Sequence, residues 1–159
     1  MVNEIDSLTD SLRRWTLFLG VVQVLLGCVV GFIPPVAVAW FRGIVMAHIE
    51  FTANGVLMIA VGLLAREIAL GATALKAWFA TLQIGTWANG TAGVIAAFTG
   101  ASSKLMPTLN EKFPPPNGSD SALVTATLQL CGVTIITALA LTAYGLYRSR
   151  RTAVPGGGA

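Results

Sequence analysis

Four apolar runs, residues 15–33, 44–64, 77–98 and 122–147, alternate with polar stretches along the chain. A helix needs about 20 apolar residues to cross a bilayer, so each run is long enough to span one. Pro34-Pro35 ends the first run, because proline has no amide hydrogen and restricts the residue before it. Arg66 and Glu67 close the second, Lys76 and Trp78 introduce the third, and Arg148, Arg150 and Arg151 stop the fourth. Residues 1–14 read as a short amphipathic or frayed lead. Residues 36–43 read as a connection with Trp40 and Arg42 at interface depth. Residues 99–121 form the one long polar loop, with Pro107 and the run Pro114-Pro115-Pro116-Asn117-Gly118. Loops of that length are functional lids or disordered. Residues 148–159 read as a basic, Gly-rich, disordered tail.

Composition agrees with the pattern. Of 159 residues, 55% are hydrophobic and 11% charged, and mean hydropathy is +0.74. Soluble domains carry roughly a quarter charged residues, so the class is an all-α membrane protein, a four-transmembrane-helix bundle. The lead lacks the pattern of a cleavable signal, and the first run reads as a retained anchor. The net charge of +3 sits beside the apolar runs, where topology explains it, and does not point to nucleic acid. Arg13, Arg14, Arg66, Lys76, Arg148, Arg150 and Arg151 outnumber Arg42, Lys104 and Lys112, which puts both termini in the cytoplasm. Cys28 and Cys131 read as buried small hydrophobes rather than a disulfide. Gly20, Gly27 and Gly31 recur near multiples of four, a pattern that lets membrane helices approach closely.

Candidate chemistry concentrates in the second run. It holds His48, the only histidine, with Glu50, Thr52 and Asn54. Ionisable groups at membrane depth are costly, face protein interiors and mark sites. Each helical residue turns about 100°, so Glu50 and Asn54 share one face while His48, Thr52 and Gly55 share another, about 120° away. The helix therefore meets two environments. In the third run Gly85, Asn89 and Gly93 form a four-residue ladder, with room for a flat ligand or another helix. Bland readings stand beside these: Asn54, Asn89, Gln23, Gln83 and Gln129 as interhelical hydrogen-bond glue, Glu50 as a neutral acid bonded to a carbonyl, Trp87 as packing. A lone histidine cannot build a zinc site, but it can be an axial ligand to haem iron.

The segments Ala47-His48-Ile49-Glu50, Asn54-Gly55, Gly85-Thr86-Trp87-Ala88-Asn89 and Leu105-Met106-Pro107 resemble the hydroxylaminobenzene mutases, four-span bacterial membrane enzymes of nitroaromatic degradation. The likeness runs from about residue 15 to 148. It implies isomerisation of an aryl hydroxylamine such as hydroxylaminobenzene to an ortho-aminophenol at the bacterial inner membrane. The chain is similar, more distantly, to the styrene oxide isomerases, which bind haem b and assemble as trimers. His48 and Asn54 match that family's histidine–asparagine spacing, and Trp87 to Asn89 its Trp-Ala-Asn. That family's aspartate and tyrosine on the third helix fall at Gly85 and Gly93 here, which argues against epoxide chemistry. The resemblance implies haem b, with His48 as the axial ligand of the iron, and a homotrimer.

The expected mechanism has haem iron as a Lewis acid, Glu50 as a proton shuttle beside it, and a cavity between the second and third helices. Asn54 and Asn89, with Thr86 and Trp87, bind and orient the substrate. The alternatives are an epoxide-to-aldehyde isomerase, and a non-enzymatic transporter or scaffold.

Overall fold

A computed structural model describes residues 2–152, and the side chains of residues 4–149. It is helical: α1 (Val2–Gly31), α2 (Phe41–Leu63), α3 (Ala72–Thr99), α4 (Pro107–Lys112) and α5 (Ala122–Thr152). Short 3-10 turns at Pro35–Ala37 and Ala65–Glu67 tighten two connections. Among the described residues the only extended pairing is the isolated bridge between Ser103 and Asp120.

Among the described residues three helices are long and apolar enough to cross a membrane: Glu4–Gly31, Phe41–Leu63 and Ala122–Ser149. α3 is as long but more polar, and it is the central element. Gly85, Thr86, Ala88, Gly90, Ala92, Gly93, Ala96 and Ala97 are buried because α2 lies on one side and α5 on the other. The extensive interfaces are α1–α2, α2–α3 and α3–α5, with a smaller one between α1 and α3. α5 has no extensive interface with α1 or α2, so the expected bundle is an open row.

Glycine makes the α1–α2 contact close. A Cβ at Gly20 would lie 2.9 Å from the Gly55 carbonyl oxygen, and one at Gly55 would lie 2.7 Å from the Gly20 oxygen. This is the close approach that small residues permit in lipid, where packing replaces the hydrophobic effect between helices. Gly85 and Gly93 serve the same end. The first lies against Thr134 and Ile135 of α5, the second against Ala47 of α2. Their ladder makes room for neighbouring helices, not for a flat ligand.

Several local expectations change. Residues 2–14 are not frayed: they continue α1 without a break, and Asp10 pairs with Arg66 at 2.9 Å. Helix α5 runs on through residue 152, and the rest of the expected tail, 153–159, lies outside the described residues. Trp40 and Trp78 are buried against other helices and loops. The Trp78 indole donates to Thr142 Oγ1 at 2.9 Å, which satisfies a polar group deep in the core. Trp40 is covered because the Pro-rich loop folds back, carrying α4, Met106, Leu109 and Phe113 onto it. Cys28 is exposed, while Cys131 is buried. Among the described residues Gln23 and Gln83 make no hydrogen bond and Gln129 is exposed, so the glutamines do not tie these helices together.

The two ends of the row differ. Ala69 N–H reaches the Gly145 carbonyl, so the α2–α3 connection lies beside the end of α5. With the Asp10–Arg66 pair, this puts that connection and both ends of the described chain on one side. The α1–α2 connection and the Pro-rich loop share the other, where Trp40 N–H reaches Ala97 and Asn117 N–H reaches Gly100.

Candidate functional site

Helix α2 places its chemistry on two sides. His48 turns toward α1, where its Nδ1 lies 2.8 Å from the Gly27 carbonyl oxygen. A carbonyl only accepts, so Nδ1 carries a proton, and in the neutral ring the lone pair lies on Nε2. Gly31 makes space for the ring, since a Cβ there would be 2.9 Å from Nδ1. Thr52, one turn on, lies against Gly27, whose added Cβ would meet its Oγ1 at 2.5 Å. Nε2 makes no hydrogen bond within the described residues. The ring is half-buried. An imidazole fixed through Nδ1 and open at Nε2 is the donor arrangement of an axial metal ligand. Among the described residues no three His, Cys, Asp or Glu side chains cluster. A porphyrin, which brings four donors of its own, fits this single ligand.

Glu50 faces the opposite way, about 200° around the helix from His48. Its Oε2 accepts from the Asn89 carboxamide of α3 and, at 3.3 Å, from Asn54 Nδ2. The Asn54 Nδ2 also donates to the Glu50 carbonyl at 2.8 Å, which locks it one turn above the acid. Two carboxamides from two helices thus hold one carboxylate oxygen, and among the described residues no cation pairs with it. The half-buried Glu50 lines an open cleft of about 190 Å³ with Arg42, Val45, Met46 and Ile49 of α2 and Leu109 of α4. Larger clefts of about 410 and 510 Å³ lie at the far end of the row, beside the start of α1.

The structure therefore joins three of the expected site residues, Glu50, Asn54 and Asn89, and separates the others from them. Thr86 is fully buried, donates to the Leu82 carbonyl at 2.8 Å and touches Met58 Sδ at 3.1 Å. Trp87 meets Phe51 edge-on, with ring centroids 6.1 Å apart, and packs in the α1–α2–α3 core. Helices α2 and α3 meet directly, with Phe51 over Gly90. The cavity expected between them lies instead on the outer side of α2, beneath α4. Sequence reasoning did not bring in Arg42, Val45, Met46 and Ile49. Their spacing with Glu50, at i, i+3, i+4, i+7 and i+8, is a one-face helical stripe that could have found them. Nothing in the sequence pointed to Leu109.

The profile of the family described as styrene oxide isomerase matches residues 12–147, which hold every residue of this site. The chain belongs to the styrene oxide isomerase family. The chain is also similar to a curated relative, the hydroxylaminobenzene mutase HabB of Ectopseudomonas oleovorans, 38% identical over 100 residues, or 62% of this chain. The chain spans 60% of that relative's length. No solved structure matches the chain. Gly85 and Gly93, where the resemblance places an aspartate and a tyrosine, are closed to larger side chains. A Cβ at Gly85 would lie 2.5 Å from Ile135 Cγ1, and one at Gly93 would lie 2.7 Å from the Ala47 backbone nitrogen.

Proposed function

We propose that the chain is a membrane isomerase that converts an aryl hydroxylamine, such as hydroxylaminobenzene, to the ortho-aminophenol by intramolecular hydroxyl transfer. The observation that carries this reading is the Glu50 carboxylate, gripped by Asn54 and Asn89 and lining a ring-sized cavity. The family match and the mutase relative support the reaction class.

The overall change breaks N–O, forms C–O at the ortho carbon, and moves one proton from that carbon to nitrogen, with no net redox. Glu50 takes the ring proton and returns one to nitrogen. Asn54 and Asn89 position its Oε2. The apolar walls keep water from the electron-poor ring. His48 would hold haem b through Nε2, and the bound iron would supply Lewis acidity for the N–O bond.

Within one chain the imidazole and the carboxylate open to opposite sides of α2. A reaction that uses both therefore draws them from two copies, which favours a cyclic homo-oligomer, a trimer as the resemblance implies. The open row of helices supports this, since α5 leaves α1 and α2 uncovered. In the bacterial inner membrane all four long helices cross, with both termini cytoplasmic.

The family's own name favours epoxide-to-aldehyde isomerisation as the second reading, and the closed Gly85 and Gly93 positions weigh against it. Membranes holding the protein are given phenylhydroxylamine and, separately, styrene oxide, before and after detergent solubilisation. The expected product is ortho-aminophenol in both preparations. Phenylacetaldehyde alone would establish the epoxide reading. Uptake by sealed vesicles without turnover in detergent would establish a transporter.

A further inference from the structure

We infer that the cavity beside Glu50 takes single-ring aryl hydroxylamines and that Arg42 at its other end reads an anionic ring substituent, a carboxylate above all. The inference rests on the reading above and names the substrate class of that same site.

Size sets the first half. An apolar cavity of about 150 Å³ holds benzene, and this one is about 190 Å³. One ring with small substituents fills this open cleft, and a fused pair would project beyond its rim. Val45, Met46, Ile49 and Leu109 supply the apolar walls.

Charge sets the second half. Arg42 and Glu50 line the same cavity, eight residues apart on one helix, which is about 12 Å of rise. Opposite charges so placed could meet across it, yet they do not pair. The Arg42 guanidinium instead lies 3.6 Å from the centre of the Phe113 ring. Stacking uses the flat face of the cation and leaves its N–H edges free. Those donors have no acceptor among the described residues. A planar fork of N–H groups matches a carboxylate bidentately. Both holders of this arrangement, Leu109 and Phe113, come from the Pro-rich loop, so that loop builds the recognising end. At the opposite end Glu50 accepts from the N–H and O–H of the hydroxylamine.

The test uses the detergent-solubilised full chain, wild type and Arg42→Gln, with phenylhydroxylamine, its 3- and 4-carboxylates, and 1-naphthylhydroxylamine. In wild type kcat/KM should favour a carboxylated ring over the plain one, with the naphthyl compound at least tenfold poorer. Arg42→Gln should lower the ratio of carboxylated to plain kcat/KM by tenfold or more, mostly through KM. Arg42→Lys, which keeps charge without the fork, should fall between. Equilibrium dialysis of 3- and 4-aminobenzoate against aniline gives a readout independent of turnover, and the same variant should lose the preference for the acid. A ratio that stays within twofold in Arg42→Gln, or naphthyl turnover equal to phenyl, overturns the inference and leaves the isomerase reading standing. Failure of wild type to turn over any of the four compounds sinks the isomerase reading, and this inference with it.

Discussion

Gly55→Ala is expected to force α1 and α2 apart. The new methyl would sit 2.7 Å from the Gly20 carbonyl oxygen, 2.7 Å from Val24 Cγ2 and 2.8 Å from the Val24 backbone nitrogen. Two of these three atoms are backbone, so no side chain can swing away, and the helices must separate by something under ~1 Å. Overpacking of this kind costs about 1–3 kcal/mol, set against a gain of about 1 kcal/mol from replacing glycine within a helix. Two other glycines calibrate the result. Gly132 on α5 has nothing within 4 Å of an added Cβ, so alanine there shows the propensity gain alone. At Gly62 the nearest atoms are the ends of Leu17 and Thr16, at 3.1 to 3.3 Å, so the contact is cheap. Thermal unfolding in one detergent should rank Gly132→Ala above Gly62→Ala and both above Gly55→Ala. At about 2–4 °C per kcal/mol for a chain of this size, the outer two should differ by roughly 2–12 °C. His48 follows Gly55 on the same face. Separation stretches the 2.8 Å contact of Nδ1 with Gly27 toward the limit of a hydrogen bond, and under the proposed haem ligation by His48 the retention of haem should fall about 10-fold or more. A Gly55→Ala protein that melts at or above Gly132→Ala would refute the packing argument.

Other outcomes follow from the same geometry. Glu50→Gln should fold and oligomerise as wild type but lose about 10²–10⁴ in kcat, measured by product formation at saturating substrate. His48→Ala and Glu50→Gln, each inactive alone, should recover part of the activity when co-expressed with separate tags and purified as mixed oligomers. No recovery would contradict a site shared between copies. Thr142→Val leaves the buried Trp78 indole N–H without its acceptor, at a cost of about 1–3 kcal/mol. Adding Trp78→Phe should cost less than the sum of the two single changes, read from denaturation midpoints.

The helical class was legible because a charged fraction this low cannot coat a soluble surface. The two-faced nature of α2 was legible because about 100° per residue sets His48 against Glu50 whatever the neighbours are. The glycines of α1 announced a close contact for the same local reason. What the sequence hid depends on long-range packing. Residues 2–14 look too polar to continue a membrane helix, but helix propagation adds one bond per residue once the apolar part is formed. Trp40 carries the signature of an interfacial anchor, and only the return of a prolyl loop some 70 residues later buries it. Asn89 was a candidate through its ladder with Gly85 and Gly93 and through the Trp-Ala-Asn resemblance. Its partner could not be known without the register of α3 on α2, which Gly43, Gly93 and Ala47 set through backbone contact. Gln23 and Gln83 show the converse: amides that read as glue lie buried without a bond to the chain.

The fate of the hydroxylamine oxygen tests the central claim most directly. Phenylhydroxylamine labelled with ¹⁸O at that atom is converted in ordinary water by the purified protein, and the product is weighed by mass spectrometry. The account predicts ortho-aminophenol that keeps the label in wild type, formed at least 100-fold more slowly by Glu50→Gln. Ortho-aminophenol carrying water oxygen would contradict intramolecular transfer, and a Glu50→Gln protein as fast as wild type would remove the carboxylate from the chemistry.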